Sequence, residues 1–60
     1  MTRKDYIVIA KILNAQYNSA KTVDELQLVS VTINDFIVSL KADNARFDSN
    51  KFFNACTQAA

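Results

Sequence analysis

Glycine, proline and histidine are all absent from these 60 residues, and the only cysteine is Cys56. At ordinary usage a chain of this length would carry about four glycines and about three prolines. Without glycine there is no residue that enters the left-handed region cheaply, so tight hairpins and phosphate-cradling loops are disfavoured. Without proline nothing breaks a helix outright. Together the two absences favour helices closed by side-chain caps. A lone cysteine cannot form an internal disulfide, and without histidine there is almost no material for a zinc site. No metal or other cofactor is expected. Charge of one sign is missing as well: seven Lys and Arg face six Asp and Glu, a poor start for a nucleic-acid binder. No apolar run approaches the roughly 20 residues of a membrane span, so no membrane partner is expected.

What is present suits a small globular unit. Half of the residues are hydrophobic, an ordinary share that argues against disorder. Residues 1–60 read as a single small domain. At this size only about 60% of the unfolded surface is buried, so stability is marginal without a staple. With disulfide and metal excluded, the expected remedy is self-association or unusually good helix packing. The start, "MTRKDYIVIAKIL", loosely resembles a signal peptide with its charged front and apolar middle. Asp5 and Lys11 interrupt it and no small-residue cleavage site follows. A cytosolic, reducing setting is expected, which also suits a free thiol.

Three helical segments are predicted, giving an all-α, three-helix unit with a long central helix and a short closing one. In the first, Thr2 and Asp5 have capping-box spacing. Tyr6, Ile9, Ala10, Leu13 and Tyr17 follow on one helical stripe, widened by Val8 and Ile12. Asn18-Ser19 reads as a stop, since asparagine is the next best left-handed cap after glycine. The second segment opens on another capping box, Thr22 and Glu25. It continues through Leu26, Val29, Ile33, Phe36 or Ile37, and Leu40 at spacings of three and four. Its many β-branched residues leave a strand within 28–33 as the alternative. Asn44 reads as its stop. In the third segment Asp48 caps a helix from about Ser49 to Thr57. Phe47 before the cap and Phe52 inside it have the spacing of a hydrophobic staple, which would fold Phe52, Phe53 and Cys56 over the first two helices.

Both ends of the chain resemble a group of very short proteins encoded by tailed bacteriophages. The group has Arg-Lys-Asp-Tyr near its start, present here as Arg3 to Tyr6. Its closing pattern is Ala-Asp-Asn, a variable residue, Arg-Phe-Asp, then Phe and Ala-Cys, matched here within "ADNARFDSNKFFNAC". The resemblance covers roughly half of the chain, and Ala45 stands where the group usually has proline. It implies a viral origin and the cytoplasm of a bacterial host. It carries no activity with it.

The chemistry-bearing residues mostly read as structural. Cys56 has no histidine to activate it, and its helical neighbours Phe52, Phe53 and Ala60 make it a small buried hydrophobe rather than a nucleophile. Asp24 and Glu25 suit a first helical turn, and Asp43 and Asp48 flank a turn; none of these has the apolar setting of a catalytic acid. "DNARFD" lacks the glycine and the distal glutamate of a calcium loop. No catalytic residue is assigned, and the chain is not expected to be an enzyme.

Surfaces remain. Asp24, Leu28, Val31, Asp35, Val38 and Ala42 form a second stripe on the central helix, nearly opposite its first. Leu28, Val31 and Val38 there have no evident intramolecular partner, which marks a candidate protein-binding or self-association face. Arg46, inside the turn, is a further candidate contact. The alternative is nucleic-acid association through Arg3, Lys4 and Lys11. With Lys21 these make the first third net basic by +3, against −3 for the middle. The expected function is therefore a non-enzymatic interaction protein that self-associates and binds a host or viral protein. A small nucleic-acid accessory or regulatory protein is the second choice.

Overall fold

The computed structural model describes residues 2–59. Its elements are α1 (Arg3–Ser19), α2 (Val23–Asp43) and α3 (Ser49–Thr57). The fold is the expected all-α three-helix unit, and the β-branched stretch 28–33 is helical. Spacing outweighs propensity there because Ile33 is fully buried and Val29 packs against the core. Burying an aliphatic side chain contributes about 1.5–3 kcal/mol, against tenths for each β-branched residue in a helix.

The caps follow from side chains, as the missing glycines require. At Thr2 the carboxylate half of the box dominates. Asp5 Oδ2 accepts from the Thr2 amide at 2.9 Å and from its hydroxyl at 3.2 Å, while the Asp5 amide donates to the Thr2 carbonyl. These bonds, first to the Thr2 backbone and then to its hydroxyl, hold the Asp5 carboxyl below its usual pKa. At α2 the Glu25 amide donates to Thr22 Oγ1 at 3.1 Å. Glu25 Oε2 reaches back to the Lys21 amide at 3.1 Å, one residue earlier than a standard box. Asp48 Oδ1 accepts from the Lys51 amide at 3.0 Å, so α3 begins where the cap reading placed it.

The helix ends differ from expectation in one respect. Neither Asn18 nor Asn44 enters the left-handed region, and no described residue has positive φ. The capping residues Ala20 and Asn44 are extended. The cap bonds are instead made by the backbone, the Ala20 amide donating to the Tyr17 carbonyl at 3.4 Å and the Asn44 amide to the Leu40 carbonyl at 2.9 Å. Asn18 Nδ2 donates to the Asn14 carbonyl at 3.2 Å and Ser19 Oγ to the Ala15 carbonyl at 2.8 Å. After α2, Asn44 Oδ1 accepts from the Arg46 amide at 3.1 Å and the Asn44 carbonyl from the Phe47 amide at 2.9 Å. This is an asparagine-built turn that needs no glycine.

The core consists of Ala10 and Leu13 from α1, Ile33 and Leu40 from α2, Phe47 from the turn, and Phe52 and Cys56 from α3. The predicted staple is present: the Phe47 and Phe52 rings lie 5.3 Å apart. Phe47 also meets Tyr6 edge to face at 4.9 Å, so a turn residue joins α1 to α3. Three readings need correction. Leu26, which opens the predicted core stripe of α2, is exposed in the first turn of that helix and lies outside the core. Val8 and Ile12 do not widen the buried stripe of α1; both are exposed, because two neighbouring helices cover only one side of it. Phe53 is 47% exposed. A nine-residue helix has one narrow apolar face, and Phe52 with Cys56 fills it.

Candidate interaction surfaces

The second stripe of α2 lies open along the molecule. Leu28, Val31 and Val38 are between 51% and 69% exposed, and Asp24 and Asp35 are exposed among them. Isolated surface apolar residues are ordinary, but three on one helical face form an apolar stripe, interrupted here by Asp35. The stripe arises because two apolar periodicities share one helix. The one carrying Ile33 and Leu40 takes the core, and its opposite face has nothing left to pack against.

Arg46 belongs to a different surface. The turn holds it at the mouth of a cleft of about 410 Å³ between α1, the turn and α3. Arg3, Arg46 and Lys51 line this cleft together with Asp48, above a floor that includes Tyr6 and Phe47. The Asp48 carboxylate is already engaged as the α3 cap. The cleft is therefore net basic with an aromatic base, a setting for an anionic group attached to a flat or apolar body. Arg3 is thereby separated from Lys4 and Lys11. Lys11 borders a neighbouring hollow with Asn14 and Gln58, and Lys4 is exposed on the outer side of α1. The turn itself is tied to α2 by Lys41, whose Nζ donates to the carbonyls of Ala45 at 2.8 Å and Phe47 at 3.0 Å.

Cys56 is completely buried. Loss of water around the thiol pushes its pKa up to about 11, which keeps it protonated at neutral pH. Among the described residues no three cysteine or acidic side chains gather where a metal ion would sit. None of the helices described is long and apolar enough to cross a membrane.

Asn14 is the main feature the periodicity did not reveal. Its Nδ2 donates to the carbonyls of Cys56 at 2.9 Å and Gln58 at 2.7 Å, and Asn18 Nδ2 also reaches Gln58 at 3.1 Å. These bonds tie the C-terminal end of α3 to α1. The available signal was an asparagine in a helix interior, a position where it is a neutral to poor helix former and so marks some other use. The meeting of Arg3, Arg46 and Lys51 had no comparable signal, since they lie far apart in the chain.

No protein-family model matches this chain, no curated protein matches it, and no solved structure matches it.

Proposed function

We propose that this protein is a non-enzymatic interaction module that self-associates and binds a protein partner through the outer face of α2. The observation that carries the reading is the exposure of Leu28, Val31 and Val38 on one helical stripe. Covering them removes the apolar surface still exposed, about half to two-thirds of the roughly 1.5–3 kcal/mol that full burial of such a side chain is worth, before the costs of association. The inert, buried thiol and the absence of histidine give acid–base or nucleophilic catalysis little to work with. The resemblance of the chain ends to short phage proteins supports a host or viral protein as partner, met in the bacterial cytoplasm.

Light scattering over a concentration series tests the reading directly. The wild type is expected to gain mass as concentration rises into the high micromolar range. Val31→Lys is expected to stay monomeric, because an ionised ammonium cannot be buried there without a partner. A wild-type monomer throughout would overturn self-association.

The basic, aromatic-floored cleft supports a second reading, a small nucleic-acid accessory protein using Arg3 and Arg46. Binding of a single-stranded oligonucleotide that weakens steeply with salt would favour it, since phosphate contacts release counterions. Lys4 and Lys11 lie outside the cleft, so they would not share its contacts.

A further inference from the structure

The outer face of α1 has the same residue spacing as the outer face of α2, and opposite charge. Lys4, Val8, Lys11 and Ala15 follow one another at spacings of four, three and four, with Ile12 beside them. Val8 and Ile12 are 50% and 57% exposed, and both lysines are exposed. On α2, Asp24, Leu28, Val31 and Asp35 follow at the same spacings. One face is apolar with a lysine on either side of Val8. The other is apolar with aspartates at both ends.

We infer that in self-association the acidic apolar face of α2 docks onto the basic apolar face of α1 in a second copy, head to tail. This rests on the self-association proposed above and specifies its geometry. A two-fold contact of α2 with α2 would bring Asp24 and Asp35 toward their own copies, and like charges brought together oppose association. Lys41, the basic residue in the last turn of α2, offers no relief, because its ammonium is held by the Ala45 and Phe47 carbonyls. The α1 face supplies cations and uncovered apolar side chains together. At 1.5 Å of rise per residue the two aspartates lie about 16 Å apart along α2, and the two lysines about 10 Å apart along α1. The long, flexible lysine stems span that difference. Each face is turned away from the shared core, so one copy cannot satisfy both of its own faces. A docked pair still presents one free face of each kind, one on each copy. Such a contact closes into a ring of three or more copies or continues as a filament.

The test uses two variants, each spoiling one face: Val8→Glu on α1, which meets the partner's aspartates, and Val31→Lys on α2, which meets the partner's lysines. Circular dichroism melts first establish that both fold, which their exposed positions favour. In light scattering the wild type is expected to exceed dimer mass at high concentration, and each variant alone to remain monomeric. An equimolar mixture should form a species of twice the monomer mass and no larger, because one intact face of each kind remains in the pair. If Val8→Glu still associates as the wild type does, the contact is α2 on α2; the inference falls while self-association stands. If both variants are monomeric and the mixture is too, the complementarity is wrong. A monomeric wild type removes the underlying reading itself. Should either variant fail to fold, Lys11→Glu and Asp35→Lys take their place. Each should associate more weakly alone, and their mixture should recover the contact; failure to recover it overturns the inference.

Discussion

Cys56 shows how burial alone sets the chemistry of a residue. The thiol is fully enclosed, and desolvation raises its pKa from 9.0 to about 11. A thiol reagent at neutral pH is therefore expected to label the native protein slowly and the denatured protein quickly. Fast labelling of the folded state would show that α3 opens readily. The pH dependence has a definite sign. Because the folded pKa lies above the unfolded one, the unfolded chain releases its proton first as pH rises. The contribution of the neutral thiol is fully present below about pH 9 and is lost between there and about pH 11. Comparing melting midpoints of wild type and Cys56→Ala across that window isolates the effect from the lysines and tyrosines. The difference between the two should shrink as pH rises.

At the scale of the element, α3 depends on two attachments. Phe52 is the apolar one, packed on Phe47 and buried. Phe52→Ala is expected to cost about 3–5 kcal/mol through lost burial and the cavity left behind. Small domains have little more than about 5 kcal/mol in total, so the variant should melt far earlier or fail to fold. An unchanged midpoint would show that the staple does not close the core. Asn14 is the polar attachment. Asn14→Ala leaves the Cys56 carbonyl without this donor and leaves Gln58 with only Asn18, at a cost of about 1–3 kcal/mol if the freed groups stay away from water. Its effect should be local. Hydrogen exchange should speed up in the last turn of α3 and hardly change at the buried positions of α2.

At the scale of the whole molecule, seven core side chains hold three helices, while among the described residues eight large apolar side chains on α1 and α2 remain exposed. If association covers that surface, folding and assembly are linked. The melting midpoint should then rise with protein concentration, because an assembly that forms only from folded copies stabilises them by mass action. Thermal melts across a hundredfold dilution series check this. A concentration-independent midpoint would separate folding from assembly.

Helices, their starts and the central part of the core were legible in the residues. Capping residues and three-to-four spacing act over a few positions, so Thr2, Thr22 and Asp48 could be placed, and Ile33 and Leu40 could be named, without any long-range contact. The open stripe of Leu28, Val31 and Val38 was legible for the same reason. Which of two stripes on one helix would be covered depends on what packs beside it. That is why Val8, Ile12 and Phe53, apolar and correctly spaced, lie outside, and why a turn residue, Phe47, lies within. The cleft of Arg3, Arg46 and Lys51 and the Asn14 clamp on α3 join segments distant in the chain. Local pattern carries no information about such meetings, because the packing angles of the helices bring them about.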